Sequence, residues 1–473
     1  MRKPKFVHKA SLAFALLGLA LTRPAPAATI NVNPGDSIQA AVDAAASGDT
    51  IHVATGVYQE QVVVADKDLN LVGEPGATLK APAAMTTSLT PVTTRRAVLG
   101  MLRSSANVSG LAFDGNRSGG ANARLTGVYH LSASGTVSNC SFQGFRSVPR
   151  NLVGLGQREA AYIAANALAA GGPDVTHVEV LNSTFNDNEA GIVLIGDDTG
   201  ANPNPEQLRQ TFLLEGNRII GIGVATNTYQ FGVRINLGTS GQVRNNTIRD
   251  HLSSGNVAGL GMLGSAAVMV RDNPALRQNN PLTTQPVLVE GNTLVNNLCG
   301  INLLSADGSR AINNQIQGGG TETGFSNEGG VALSGNDVGA ISNRISNSSI
   351  GINLVAGPQH GTASDATVMG NRISGSATPI NEQPGVTGTK QSDNVIVDEF
   401  GFKPGAITRL ANGTVQLTVQ VPLLPRTYLL EASSDLMNWA TVTNFVPGSL
   451  TEHELIDPDA AQFARRFYRV RTE

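Results

Sequence analysis

The chain has 473 residues, of which 41% are hydrophobic, 15% are charged and only 4% are aromatic. The hydrophobic content excludes intrinsic disorder, and the 53 glycines and 22 prolines follow no three-residue period, which excludes collagen. The formal net charge is −3, and no basic cluster is present, so we expect no nucleic-acid partner. Few large side chains and many turn-forming residues favour short strands over several spherical cores.

Residues 1–27 have the three parts of a secretory signal peptide. Basic residues at the start precede an apolar run from Ala10 to Leu21, and Ala25-Pro26-Ala27 is a small-residue cleavage site. The apolar run is too short to span a bilayer, and no other segment is apolar over about 20 residues. We therefore predict a secreted or cell-surface protein without a transmembrane anchor, and we expect it to be a monomer. The alternative is a buried N-terminal helix.

A short phrase recurs along the chain, with asparagine two residues before isoleucine or leucine. The asparagines of these copies are Asn217, Asn246, Asn292, Asn314, Asn343 and Asn371. Degenerate copies contain Cys140 and Ser183 before Phe142 and Phe185. Most copies are 22–29 residues apart, and the spacing of 46 between Asn246 and Asn292 suggests two coils. Asparagines at one corner of stacked coils would hydrogen-bond to each other.

A second phrase, a glycine followed by alternating apolar residues, often comes eight residues later. Examples begin at Gly191, Gly300 and Gly351, and Gly232 and Gly330 begin similar segments. Period-two strands that repeat in this way predict a parallel β-solenoid, in which each coil buries its apolar residues against its neighbours. An antiparallel sandwich array is the alternative, but it would not place asparagine at a fixed position.

The start of the mature chain predicts a cap for this solenoid. Asp36 and Gln39 form a potential capping box for a short helix that ends at Gly48, and Ile38, Ala41, Val42 and Ala45 share one face of it. The phrases Gly48-Asp49-Thr50-Ile51-His52-Val53 and Gly56-Val57-Tyr58-Gln59-Glu60 follow, and then Leu69-Asn70-Leu71-Val72-Gly73.

These phrases, with Phe113-Asp114-Gly115-Asn116, resemble the first coils of the right-handed parallel β-helix proteins of the pectate lyase-like superfamily. The resemblance covers about residues 28–400 and implies an all-β, right-handed, single-stranded parallel β-helix with an N-terminal capping helix. The stacking predicts that Cys140 and Cys299 lie several coils apart and form no disulfide bond.

The repeat fades after residue 400. We predict a linker at 401–405 and a small antiparallel β-sandwich at 406–473, with Trp439 and Tyr468 in its core. This tail resembles C-terminal modules of secreted proteins from planctomycete- and verrucomicrobium-like bacteria, which implies association with the cell surface. A sugar-stacking role for Trp439 is the alternative to a core position.

The family resemblance implies polysaccharide lyases, glycoside hydrolases and non-catalytic surface proteins. No lysine lies between Lys80 and Lys390, which excludes a lysine base in the central coils, while Arg234 and Arg244 are candidate arginine bases. Gly196-Asp197-Asp198 followed by Arg234 partly matches the polygalacturonase pattern. The N-T-D and G-H-G motifs of that pattern are absent, so we interpret the match as chance.

Polar residues follow the glycine-led strands and would align along one edge of the stack. They are Asp197, Asp198, Asn236, Asp307, Asn336, Asp337 and His360. We predict Asp197, Asp198 and Arg234 as catalytic residues, and Tyr229, Asp307, Asp337 and His360 as substrate-binding residues. The acidic residues make calcium the one candidate cofactor, although solvated turn residues would give the same pattern.

Two functions remain open from the sequence. The first is a protein that binds polysaccharide along a loop-lined groove, with lyase or glycoside hydrolase activity as its chemistry. The second is a non-catalytic structural or adhesive surface protein. We favour polysaccharide as the partner because loops at one edge of a solenoid commonly form its binding groove.

Overall fold

The computed structural model describes most of the chain between residues 26 and 472. The described residues are 26–86, 89, 95–119, 122, 124–147, 159–166, 173–196, 209–226, 230–236, 238–254, 265–271, 286–318, 329–357, 361–397, 401–420, 427–446 and 452–472. Within them, short parallel strands form three long sheets, and successive coils of the chain contribute one strand to each sheet.

The first sheet has 13 strands, which neighbour one another in chain order. They are Thr29–Val32, Thr50–Val53, Leu69–Gly73, Ala106–Ser109, Gly135–Ser138, Thr176–Leu181, Gln210–Glu215, Thr239–Arg244, Val287–Glu290, Arg310–Ile312, Gly339–Ile341, Thr367–Met369 and Lys390–Ser392.

The second sheet has 11 strands. They are Val62–Ala65, Arg96–Leu102, Leu125–Leu131, Ala160–Ala165, Ala190–Ile195, Phe231–Asn236, Ala266–Arg271, Cys299–Leu304, Val331–Leu333, Ile350–Leu354 and Thr378–Glu382.

The third sheet has 12 strands. They are Gly56–Tyr58, Ala77–Lys80, Ala112–Asp114, Ser141–Gln143, Thr184–Asn186, Arg218–Thr226, Thr247–Ser254, Thr293–Asn297, Gln315–Gly318, Arg344–Ser346, Arg372–Ser374 and Val395–Val397. Two further short strands, Gly335–Asn336 and Ala363–Ser364, pair beside the stack.

The recurring asparagines lie along one corner of the stack, between the first and third sheets. The Oδ1 atom of Asn246 accepts the backbone N–H of Asn217 at 2.9 Å, and Asn292, Asn314, Asn343 and Asn371 repeat this bond in turn. The predicted ladder is confirmed, including its degenerate copies, and it extends one position further, to Asn394. Its other positions are Cys140 and Ser183 before Asn217 and Asn394 after Asn371.

One spacing in the repeat was interpreted wrongly. The backbone N–H of Asn246 donates directly to Oδ1 of Asn292 at 2.9 Å, and the strand Thr239–Arg244 pairs with Val287–Glu290. The 46 residues between these asparagines therefore form one coil with a long excursion, because strand pairing depends on register and not on loop length.

The predicted cap is present as a helix from Ile38 to Ala44, with Ile38, Ala41 and Val42 buried. Its N-cap is Ser37 and not Asp36, which accepts the N–H of Asn33 instead. Glu60, from the Gly56–Glu60 phrase, accepts the backbone N–H groups of Ile38 and Gln39. At the other end, Lys67 donates to three carbonyl oxygens of the last turn and its C-cap, each at 2.9 Å. The coil therefore caps both ends of this short helix.

The second sheet is buried on both faces over its central strands. Val233 and Ile235 face the interior core, while Tyr129, Ile163 and Val193 on the opposite face belong to a separate buried apolar cluster. Leu89, in the excursion before Arg96–Leu102, packs against Gly100 on this outer face. The third sheet differs, because exposed and buried side chains alternate along its strands, as in Ser141–Gln143 and Thr184–Asn186.

The C-terminal residues form two three-stranded antiparallel sheets. One has Gly401–Arg409, Val415–Gln420 and Glu452–Asp457, and the other has Ala440–Phe445, Tyr428–Ser433 and Phe467–Thr472, with a 3₁₀ turn at Ala460–Gln462. Both sheets contribute side chains to one core around Leu417, Val419, Tyr428 and Leu430. Residues 401–405, the predicted linker, lie within the first of these strands.

Trp439 is not in this core, contrary to expectation. Its ring is half-buried, its indole N–H donates to the carbonyl oxygen of Leu436 at 3.1 Å, and the Arg469 guanidinium lies 4.2 Å from the ring centroid. Tyr468 does pack against the core, and its hydroxyl donates to Asp457. A backbone carbonyl satisfies the indole N–H and Arg469 covers the ring face, so Trp439 is stable at the surface. A sequence pattern does not distinguish this arrangement from a core position.

The fold class is the predicted one: a right-handed parallel β-helix with an N-terminal helix and a small C-terminal antiparallel sandwich. Cys140 and Cys299 are both buried and are not joined in a disulfide bond. Within the described ranges, no helix has the length and apolar character needed to cross a bilayer.

Candidate functional site

Arg234 lies on the outer face of the second sheet, where most neighbours are apolar. It is paired in register with Val193 on one neighbouring strand and with Met269 on the other. Its Nε donates to Oδ1 of Asn236 at 3.2 Å, and its guanidinium lies 5.9 Å from the centroid of the Phe231 ring. The side chain is half-buried. Strand alternation therefore points this arginine away from the core and into the covered outer face.

Arg234 lines a cavity of about 180 Å³ on this face, which we call the arginine cavity. The other lining residues are Arg95, Ala160, Ile163, Val193, Ile195 and Asn236. Arg95 is 7% exposed. The cavity thus combines two guanidinium groups with an apolar floor made by two consecutive coils, and the next coil contributes Arg234 and Asn236.

The surroundings of the cavity lower the pKa of Arg234. Burial, and then the positive charges of Arg271 and Arg95, lower the pKa of Arg234 to about 10. The guanidinium is still protonated at neutral pH. An anion that entered the cavity would relieve the repulsion between these groups, and a guanidinium binds carboxylate with two parallel hydrogen bonds. The arrangement is therefore suited to holding a carboxylate against an apolar surface.

Sequence reasoning found Arg234 but missed Arg95 and Arg271. A usable signal for Arg234 is its place two residues after the glycine of the second phrase. The equivalent residues in other coils are Val193, Asn302, Ala332 and Asn353, none of which is charged. Arg95 comes from an excursion outside the repeat, so no periodic pattern predicts it.

Asp307 and Asp337 have partners within the coils. Oδ1 of Asp307 accepts the backbone N–H of Asn336 at 2.8 Å, and Asn336 accepts a hydrogen bond from Ser364 in the next coil. Asp337 forms an ion pair with Arg310 at 2.8 Å. Neither aspartate lines the arginine cavity, and each has a local role that accounts for its position.

The other predicted site residues, Asp197, Asp198, Tyr229 and His360, lie outside the described residues. Arg244, the second candidate base, ends a strand of the first sheet and forms an ion pair with Glu215 at 2.9 Å. It does not line the arginine cavity. In the described part of the chain, no three His, Cys, Asp or Glu side chains gather closely enough to hold a metal ion.

Among known proteins, the chain is similar only to solved structures. The alginate lyase from Paenibacillus sp. str. FPU-7 is 14% identical, with 78% of this chain and 99% of that chain covered and a TM-score of 0.35. The periplasmic alginate epimerase AlgG is 11% identical, with 78% and 83% covered and a TM-score of 0.41. PfbA, a surface adhesin of Streptococcus pneumoniae, is 12% identical, with 88% and 93% covered and a TM-score of 0.40. No protein-family model and no curated protein matches the chain.

The chain is a parallel β-helix. Three long sheets of parallel strands, stacked coil on coil in register, establish this fold directly. It is the fold that the resemblance of the first coils to the pectate lyase-like superfamily implies. The matched proteins include polysaccharide-acting enzymes and an adhesin, but at these identities they concern the fold and not the activity of this chain.

Proposed function

We propose that this protein is exported and binds an acidic polysaccharide through the arginine cavity. The observation that carries the proposal is that Arg95 and Arg234 line one cavity whose floor is apolar. A uronate residue offers the matching chemistry, because its carboxylate suits a guanidinium and its ring has an apolar C–H face. The cavity lies over Ala160, Ile163 and Val193, so a polymer along the stack would cross successive coils.

Neutralising Arg234 tests the proposal. The Arg234→Gln variant is expected to bind polygalacturonate or alginate about tenfold to a hundredfold more weakly, because a charge-assisted bidentate contact is lost. Affinity electrophoresis of the mature chain in gels containing each polymer measures this, with dextran as the uncharged reference.

The matched control is Arg344→Gln. Arg344 is an exposed arginine on the third sheet, so its loss removes the same charge from another face. Acidic polymers should retain Arg234→Gln much less than Arg344→Gln. Equal retention of both, with thermal unfolding unchanged, would contradict a role for the cavity and favour general attraction of a polyanion.

Cleavage by β-elimination is a second candidate, favoured by the lowered pKa of Arg234. In this reaction the small unprotonated fraction of Arg234 would take the proton α to the uronate carboxylate. The C–H electrons would form the C=C bond of the unsaturated uronate, and the glycosidic oxygen would leave with the C–O electrons and take a proton from water. Asp197 and Asp198 remain proposed contributors, since they come two and three residues after Ile195 of the cavity in the chain. An assay for unsaturated uronate and new reducing ends decides between binding and cleavage, and no product would leave binding as the function.

A further inference from the structure

A second cavity lies at the carboxyl ends of three neighbouring strands of the third sheet and shares no residue with the arginine cavity. Its volume is about 320 Å³, within the range of ligand sites. We call this cavity the polar groove, and its lining residues are Asp114, Asn116, Arg117, Gln143, Gly144, Asn186 and Asp187. All of them belong to three consecutive coils.

A phenylalanine stack sets the geometry of the polar groove. Inside the coils, the Phe142 ring lies 4.9 Å from that of Phe113 and 4.6 Å from that of Phe185, with interplanar angles of 11° and 2°. The next residue along each strand faces outward, which places Asp114, Gln143 and Asn186 in one column. The column offers one polar side chain per coil, every ~4.8 Å. That step is close to the length of one pyranose unit.

The charged groups of the polar groove are held in place. Asp187 accepts from Nε of Arg117 at 2.7 Å and from Nε of Arg146 at 2.6 Å. Asp114 accepts the backbone N–H of Asn116 at 2.8 Å and lies 3.9 Å from Nζ of Lys80. Each carboxylate thus has a cationic neighbour. The two carboxylates face three cations, Lys80, Arg117 and Arg146, so the groove holds paired charges with an excess of one positive charge, unlike the arginine cavity.

The floor of the polar groove is open at Gly144. This residue has a φ of +72°, a conformation that favours glycine, and a Cβ placed on it would lie 3.4 Å from Oδ1 of Asp114, so a side chain here would extend into the groove. Arg117 is 58% exposed, so it borders the opening, and the amides of Gln143 and Asn186 are exposed. Amide, carboxylate and guanidinium groups in one opening can donate to and accept from hydroxyl groups.

The geometry points to a second glycan site in the polar groove, which binds the hydroxyl groups of a neutral polysaccharide running along the stack. Carboxylates already paired with cations disfavour a metal cation here, and guanidinium groups already paired with Asp187 disfavour a polyanion, whereas a hydroxyl needs both donors and acceptors. This site is independent of acidic-polysaccharide binding and goes beyond it. It would give the protein two polymer specificities on two faces of one coil stack.

Removing the two amides tests this site. The double variant Gln143→Ala/Asn186→Ala in the full mature chain is examined by affinity electrophoresis in dextran, galactomannan and laminarin, with polygalacturonate as the acidic polymer. At least one neutral polymer should retain the parent chain, and the double variant should bind it about tenfold more weakly, as expected for two lost hydrogen-bonding groups. Retention by polygalacturonate should be unchanged.

Two controls separate this site from the arginine cavity. Asn107→Ala removes an exposed amide of the first sheet and should leave retention by every polymer unchanged. Arg234→Gln should retain full binding of the neutral polymer. The inference is overturned if no neutral polymer retains the parent chain, if the double variant binds it equally well, or if Arg234→Gln abolishes neutral binding as well.

Discussion

Replacing Asn292 with alanine is expected to lower the free energy of unfolding by about 2–6 kcal/mol, because at least two buried polar groups lose their partners. Oδ1 of Asn292 accepts the backbone N–H of Asn246 at 2.9 Å, and its Nδ2 donates to the carbonyl oxygen of Val243 at 2.8 Å. Asn292 is fully buried, so water cannot replace these bonds. Urea denaturation followed by circular dichroism measures the change.

The matched control for the ladder is Asn107→Ala. Asn107 also bonds to an asparagine of the neighbouring coil, with its Nδ2 at 3.1 Å from Oδ1 of Asn70, but this pair is exposed. Its loss should cost less than about 1 kcal/mol, since water replaces the partner. Equal losses for Asn292→Ala and Asn107→Ala would show that burial of the ladder contributes nothing.

Acid is expected to destabilise the β-helix through two buried histidines. Burial lowers the pKa of His130 to about 3 and that of His251 to about 4, from a usual value of 6.5. The unfolded chain takes up protons below pH 6.5 and the folded chain does not, so stability is complete above that pH. It falls by up to about 1.4 kcal/mol per pH unit for each histidine as the pH drops, or about 3 kcal/mol each by pH 4. Urea denaturation between neutral pH and about pH 4 measures the slope.

The variant His130→Leu isolates one histidine. His130 lies between Met101 and Ala164 in register, its Nε2 has no partner among the described residues, and its Nδ1 is 3.4 Å from the Tyr162 hydroxyl. At neutral pH leucine should cost about 1–3 kcal/mol, because the buried Tyr162 hydroxyl loses this partner, and it should remove about half of the acid-dependent loss. The same pH slope in the variant and the parent chain would assign acid lability to other groups.

The fold could be predicted because each coil repeats one buried contact. Asn217, Asn343 and Asn371 are recognisable since the ladder tolerates few other side chains at that corner. The coil between Asn246 and Asn292 was counted wrongly because excursion length leaves the register unchanged. The helix cap was assigned to Asp36 because local spacing cannot reveal Glu60, which arrives from the following coil.

The candidate site was less predictable than the fold. Arg234 is a charged residue at a position that is uncharged in other coils, and the sequence contains that signal. Arg95 joins it only through the folding of an excursion, and Asp307 and Asp337 proved to have structural partners. Side chains that meet across coils from non-repeating segments depend on tertiary packing, which no periodicity encodes.

The central claim is that Arg95 and Arg234 together bind a uronate carboxylate. A crystal structure of the mature protein soaked with oligogalacturonate, and one soaked with oligomannuronate, tests it most directly. We expect a carboxylate within hydrogen-bond distance of both guanidinium groups, with the sugar ring over Ile163 and Val193. A bound acidic oligosaccharide located elsewhere, or an arginine cavity that stays empty at saturating ligand, would contradict the account.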